Sequence, residues 1–335
     1  SGHISRGNCR SVERENGNFL GIYAHCLQDV LRRLDKSFKA FFRRVKAGEN
    51  PGPYTTLFRS WYKSFTYPDS ETGYKMEGSK LTLSKIGTIR IFKHREVEGK
   101  IKTCTIKKDL LGHWYAVLVA EIEDAPAVEP TTTAGVDVGL KSLITTSAGE
   151  SIQYPRYYIQ LEEKLAAAQR SLSRKKRGSA NRLKAKAKVA KISKRIQNLR
   201  DEFLHQVSRK LVDSADIIVF ENLNINGMLK NHHLAKHIQD HAWGKLIQFT
   251  QGKAAKAGKV VELVDARCTS QKCSQCGIMV PKTLADRVHL CPKCGLEMDR
   301  DLNASINIRT LGLRGRAYRD AANNQPVSDV GSPGI

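Results

Sequence analysis

Four cysteines stand in two pairs, Cys273-Ser-Gln-Cys276 and Cys291-Pro-Lys-Cys294, with 14 residues between the pairs. Each pair is followed by a glycine, Gly277 or Gly295, which permits a tight turn. Two such knuckles have the spacing of a zinc ribbon, where four thiolates surround Zn2+ in a tetrahedron and leave no coordination position open, so the metal is structural. A disulfide reading needs an oxidising compartment, and the sequence carries no secretory signal that would supply one. Cys9, Cys26, Cys104 and Cys268 lack partners at ligand spacing and read as small buried hydrophobes.

Three carboxylates lie where the chain enters or leaves apolar elements. Asp137 interrupts Ala134-Gly-Val-Asp-Val-Gly-Leu140, which with Ser142–Ser147 reads as two strands joined by a glycine-containing turn. An ionised Asp in a buried strand is costly unless it is paired or bound to a metal. Glu221 directly follows the apolar run Ile217-Ile-Val-Phe220. Asp299 and Asp301 open a helix expected over Ala304 to Leu311; an Asp there serves either as an N-cap or as a ligand. Three carboxylates converging on one end of a sheet can hold two Mg2+ or Mn2+ ions ~4 Å apart, one activating water and one stabilising the leaving 3′ oxygen of a phosphodiester. His233, His237 and His241 recur every fourth residue, but no Glu follows the first of them as the zincin pattern requires, so they read as polar residues facing solvent or nucleic acid without a catalytic role.

These groups sit in a strongly basic chain. The 335 residues include 56 Lys+Arg against 33 Asp+Glu, a net charge of +23, which points to an acidic partner. Between Lys164 and Arg200 there are 14 Lys+Arg and no acidic residue. Apolar residues keep helical spacing on either side of Gly178-Ser179, from Tyr158 to Leu172 and from Val189 to Leu211, so this region reads as two antiparallel helices with a basic tip. Unpaired like charges one turn apart destabilise a helix unless a polyanion neutralises them. Arg170, Arg174, Lys175, Lys176, Arg177, Arg182, Lys184, Lys188, Lys191 and Arg195 are therefore candidate nucleic-acid contacts, of the sequence-independent kind made to phosphates. No apolar run approaches the ~20 residues of a membrane helix, so an integral membrane protein is excluded. The start, Ser1-Gly2-His3, lacks an initiator Met and reads as trimmed or tagged.

At Gly-Val-Asp137-Val-Gly-Leu-Lys, Val-Phe-Glu221-Asn-Leu, Thr269-Ser-Gln-Lys-Cys-Ser-Gln-Cys-Gly277, Cys291-Pro-Lys-Cys-Gly295 and Asp299-Arg-Asp301-Leu-Asn-Ala-Ser-Ile-Asn307 the sequence resembles the TnpB family, also called transposase OrfB: RNA-guided DNA endonucleases of insertion sequences, related to type V CRISPR effectors. The resemblance covers about residues 19 to 312. It implies an α/β ribonuclease H-like (RuvC) nuclease domain over 131–312, with Asp137, Glu221 and Asp301 as the acidic triad, a basic helical hairpin at 157–212 and a zinc ribbon at 266–298. It assigns 51–130 to a wedge-like β-barrel and 1–50 to a partial helical recognition lobe containing the Leu31, Leu34, Phe38, Phe41, Phe42 stripe. Residues 313–335, rich in Gly, Asn, Pro and Ser, read from their composition as a flexible tail. The implied partners are a guide RNA, which reads sequence by pairing, and double-stranded target DNA; the implied location is the cytoplasm of a prokaryote, at the nucleoid. The family normally begins with a further strand and helices before Phe19, and Pro53–Ser60 replaces an expected basic segment, so an N-terminal truncation is expected. A non-cutting repressor or transposition regulator, or a transposase acting on transposon ends, would use the same scaffold.

Overall fold

A computed structural model of the chain describes residues 21–49, 63–123, 125–228, 230, 232–265, 267–283 and 286–323. The expectations for residues 1–18, including Cys9, and for 53–60 lie outside the described residues. The chain divides into two compact units, 1–123 and 124–335.

In the first unit, α1 (Ala24–Lys46) precedes β1 (Ser64–Tyr67), β2 (Tyr74–Glu77), β3 (Lys80–Leu83), β4 (Gly87–Arg90), β5 (Lys100–Lys108) and β6 (Trp114–Glu121). The strands form two antiparallel three-stranded sheets, β1-β5-β6 and β2-β3-β4. Period-two alternation assigns the faces: Leu81 and Leu83 of β3 are buried while Lys80 and Thr82 are exposed. Tyr67, Tyr74, Leu81, Leu83, Cys104, Ile106 and Cys26 of α1 share one core. Burial pushes the thiols of Cys26 and Cys104 up to about 11, so both are neutral packing groups, as their isolation in sequence implied. Leu34 and Phe42 of the α1 stripe are exposed.

The second unit is built on one five-stranded sheet of order β11-β10-β7-β8-β9. β7 (Thr133–Val138), β8 (Ile144–Thr146) and β9 (Ser151–Ile152) form an antiparallel meander, and β10 (Ile217–Glu221) and β11 (Val260–Val264) add in parallel on the other side of β7. This is the strand order and polarity of the ribonuclease H-like, RuvC-type sheet that the sequence motifs implied. α2 (Tyr157–Ser173) and α3 (Ala180–Ser214) connect β9 to β10 as a long hairpin. α4 (Ile225–Met228), α5 (His232–His241) and α6 (Trp243–Lys256) connect β10 to β11. β12 (Val288–Leu290) and β13 (Glu297–Asp299) then pair beside the start of α7 (Arg300–Asn323).

Alternation in the two central strands separates two jobs. Val136, Val138, Ile218 and Phe220 face a large core with Leu204, Val207 and Leu211 of α3 and Trp243 and Leu246 of α6. Ile217 and Val219, on the opposite face, pack with Ile308 of α7. Asp137 and Glu221 continue that second series, so they lie on the α7 side. Two glycines let α7 come close: a Cβ on Gly135 would lie 2.1 Å from the Ser305 carbonyl oxygen and 2.5 Å from the Arg309 backbone nitrogen, and one on Gly312 would lie 2.5 Å from Val219. The helix begins at Arg300 rather than Ala304 and runs to Asn323, so residues 313–323, read from composition as tail, are helical. Leu, Arg and Ala in that stretch are good helix formers, and its single glycine is too weak a breaker to stop a helix already propagating.

Gly135→Ala should therefore push α7 away from β7 and cost about 1–3 kcal/mol, seen as a lower denaturant midpoint at unchanged slope. Gly252→Ala is the contrast, because its Cβ would meet nothing within 4 Å. It should stabilise α6 by about 0.5–1 kcal/mol.

Candidate functional site: a carboxylate cluster held by a four-cysteine ribbon

β7 and β10 run parallel with Phe220 opposite Val136, which sets Glu221 beside Asp137 at the carboxyl ends of adjacent central strands. Asp137 is only partly covered, yet burial, followed by the charges of Glu221 and Asp301, raises its carboxyl well above the ordinary range; Arg300 offsets part of this. Glu221 is buried, which raises its carboxyl, and a hydrogen bond from the Thr269 hydroxyl opposes that rise. Asp137 accepts no side-chain hydrogen bond among the described residues. Asp216, at the opposite end of the same sheet, differs in this respect. It accepts from the amides and hydroxyls of Thr131 and Thr132 at 2.8–3.1 Å, and these bonds hold its carboxyl far below the usual range. One end of the sheet thus carries a satisfied structural carboxylate and the other a cluster of acidic groups that repel one another.

The two readings of the third acidic motif divide between its two residues. Asp299 Oδ1 accepts the backbone N–H groups of Asp301 at 2.8 Å and Leu302 at 3.1 Å, capping α7. Asp301, in the first turn, is left to face Asp137. The oxygens of Asp137, Glu221 and Asp301 are not all within 4.8 Å of one another, the mutual range met among the described residues only by the four cysteines. An all-oxygen donor set with a partly buried carboxylate lacking any protein donor suits a hard divalent cation.

The four sulfurs fit a different metal. Cys273 and Cys294 Sγ are 3.6 Å apart and Cys276 and Cys291 Sγ 3.5 Å, near the ~3.8 Å edge of a tetrahedron with Zn–S bonds of ~2.3 Å. The knuckles repeat one backbone pattern: Gly277 and Gly295 donate to the carbonyls of Cys273 and Cys291 at 3.0 Å, and those cysteines donate to Ile278 and Leu296 at 2.9 Å. Both glycines have positive φ, 77° and 73°, the turn role expected of them.

The ribbon and the acidic cluster share residues that sequence reading passed over. β13 feeds directly into α7, so the ribbon sets where Asp301 begins. Asn307 Nδ2 donates to the carbonyls of Thr269 at 2.8 Å and Lys272 at 2.7 Å; Asn303 Nδ2 donates to Lys272 O at 2.8 Å and its Oδ1 accepts from Ser274 N at 3.0 Å. The available signals were two asparagines four residues apart on one helix face, and a glycine inside strand β7.

The basic hairpin forms as expected, with Ser179 capping α3 through Arg182 N. Arg170, Arg174, Lys175, Lys176, Arg177, Lys184, Lys188, Lys191 and Arg195 are exposed, and none has a carboxylate partner among the described residues. Arg182 is occupied otherwise: its Nη1 donates to the carbonyls of Leu172 and Lys175 at 3.0 and 2.9 Å, closing the end of α2. Arg200 anchors the hairpin base through Asp240, 2.9 Å away and buried, which also accepts from Tyr154 OH. Two expectations are corrected. His241 is a core residue rather than a solvent-facing one, its Nδ1 donating to His237 O at 2.8 Å beside Tyr154, and burial pushes its pKa down. Cys268 is exposed at φ 65°, because its carbonyl closes the turn that leads into the ribbon by accepting from Gln271 and Lys272 N–H. No helix among the described residues is long and apolar enough to cross a membrane.

Residues 116–232 match the family described as OrfB_IS605, probable transposase, and 243–308 match the Cas12f1-like TNB domain. A "Putative RNA-guided DNA endonuclease" of Streptomyces pristinaespiralis is 34% identical over 307 residues, covering 90% of this chain and 75% of that protein. InsQ of Escherichia coli K12, which carries the same description, is 29% identical over 312 residues, covering 85% of this chain and 74% of its own. Among solved structures, a Cas12f1 complex with single-guide RNA and target DNA aligns at 18% identity with a TM-score of 0.45, over 62% of this chain and 45% of that one.

Because ionising Asp137 is disfavoured in the fold, its contribution to stability is greatest below the unfolded carboxyl value near ~3.9 and declines as pH rises toward the raised native value. Without added Mg2+ or Mn2+, Asp137→Asn should melt above wild type near pH ~7.5, and the gap should narrow toward pH ~5. Added Mn2+ should raise the wild-type melting temperature and leave the variant nearly unchanged. An Asn variant that melts at or below wild type would contradict the repulsion seen at this site.

Proposed function

The chain belongs to the TnpB (OrfB) family, and from that premise we propose that it is an RNA-guided DNA endonuclease of a mobile element, hydrolysing phosphodiesters at the Asp137, Glu221, Asp301 cluster. The observation that carries this reading is the gathering of acidic groups around Asp137 at the carboxyl end of the central strands, in a unit whose hairpin displays exposed Lys and Arg without carboxylate partners among the described residues. Asp137, Glu221 and Asp301 would hold Mg2+ or Mn2+, and Cys273, Cys276, Cys291 and Cys294 would hold Zn2+. Divalent ions held there would supply an activated water and stabilise the departing 3′ oxygen. Asp137 offers a carboxylate without a competing hydrogen bond, Glu221 one whose orientation is fixed by Thr269, and Asp301 one from the first turn of α7. Asp299, consumed as the cap, has no part in this.

The exposed hairpin side chains hold the phosphate backbone of a guide RNA and its double-stranded DNA target, while base pairing with the guide reads the sequence. The sheets of residues 64–121 take the part of the wedge-like barrel and α1 that of the helical recognition lobe. A soluble complex at the nucleoid of a prokaryotic cell follows from such a substrate.

With its guide RNA, a matched duplex and Mg2+, the chain is expected to cut DNA. Asp301→Ala and Glu221→Gln should lower the single-turnover rate by at least about 100-fold while guide affinity is unchanged. Cleavage unaffected by Asp301→Ala overturns the assignment. Replacing Lys184, Lys188, Lys191 and Arg195 together by Ala should flatten the log–log salt dependence of duplex binding by about 3–4, from ~0.9 per phosphate contact.

A further inference from the structure

Glu221 ends β10 just where the chain leaves the sheet, so the strand fixes its Cα but not the direction of its carboxylate. The one hydrogen bond to its carboxylate among the described residues comes from the Thr269 hydroxyl, donated to Oε1. Thr269 lies 48 residues away in sequence and is itself buried, at 5% exposure. It follows Cys268, whose left-handed backbone (φ 65°) turns the chain at the entrance to the ribbon. Its carbonyl oxygen is held by Asn307, which with Asn303 also grips Lys272 and Ser274, the residues flanking the first ribbon ligand.

We propose that Thr269 is a positioning residue for Glu221, and that the ribbon, clamped to α7 by Asn303 and Asn307, serves to hold that hydroxyl in place. The proposal rests on the reading of Glu221 as a ligand of the divalent metal. A Thr hydroxyl has one proton to donate; with it committed to Oε1, Oε2 stays free to face the cluster. Partners of this kind, which touch the ligand rather than the metal, commonly contribute 10–100-fold in metal affinity. The ribbon is thereby a part of the carboxylate site. A mere cap on the α7 end of the sheet would need Asn303 and Asn307 but no hydroxyl at Thr269.

The test uses the full chain with its zinc bound and Mn2+ as the probe. Mn2+ affinity, read by electron paramagnetic resonance of the free ion, is compared in wild type, Thr269→Val and Thr269→Ser, with zinc content measured on the same samples. The expected result is undiminished zinc in all three, Mn2+ affinity about 10–100-fold weaker in Thr269→Val, and near wild-type affinity in Thr269→Ser. The guide-directed cleavage rate should shift to higher Mn2+ concentration by the same factor in the Val variant alone. If Thr269→Val fails to fold, Thr269→Ala makes the same comparison. Val or Ala variants that bind Mn2+ as wild type does overturn the inference alone; a wild-type chain with no Mn2+ site overturns the proposed function and the inference with it.

Discussion

Repulsion among carboxylates gathered at one end of a sheet is the constraint on which the rest of this structure depends. Desolvation and like charge both work against ionising Asp137, so the fold must hold Asp137, Glu221 and Asp301 together by forces from elsewhere. Those forces are ordinary. Val136 and Phe220 are buried in the core on one face, and α7 is drawn onto the other through Gly135 and Gly312. The close approach of that helix brings Asp301 to the strand ends, and its cap at Asp299 prevents the first turn from fraying. Holding these groups together therefore costs stability.

Two donor sets are kept apart by type and linked by hydrogen bonds. Sulfur at tetrahedral spacing suits a closed, structural zinc site, and carboxylate oxygen suits hard ions that retain water. Thr269, Asn303 and Asn307 join the two, since they belong to neither donor set yet touch the segments that carry both. The basic hairpin is fastened independently, with part-buried Arg200 on buried Asp240 and Tyr154 at its base, while its exposed Lys and Arg between Arg170 and Arg195 have no carboxylate partner among the described residues. Like charges along that face repel one another and make it costly for the isolated protein.

Much of this was legible in the chain. The knuckles, the hairpin with its basic tip and the strands ending in acidic residues are local patterns, and the described elements follow them closely. Residue pattern alone left Asp299 against Asp301 open, because each satisfies the N-terminal preference of a helix, and only the family resemblance chose Asp301; the hydrogen bonds to Asp299 show that residue as the cap. His241 and Cys268 were misread for the same reason in opposite directions. Burial depends on what packs over a residue, and Tyr154 and Trp243 cover His241 while nothing among the described residues covers Cys268. The helical course of residues 313–323 was hidden by a composition rich in small and polar residues.

By itself the sequence determined which residue types are present for chemistry and at what spacing: four thiolates in two tight turns, three carboxylates on element ends, and a run of cations without counter-charges. Those properties are local, because hydrogen bonds within a turn and the periods of helix and strand act over a few residues. Only the tertiary structure decided which of them meet. Strand order put Asp137 beside Glu221 across about 80 residues, two glycines admitted the helix that carries Asp301, and a buried threonine tied Glu221 to the ribbon. Such juxtapositions arise from packing, which is cooperative over the whole unit and leaves no fixed interval in the chain.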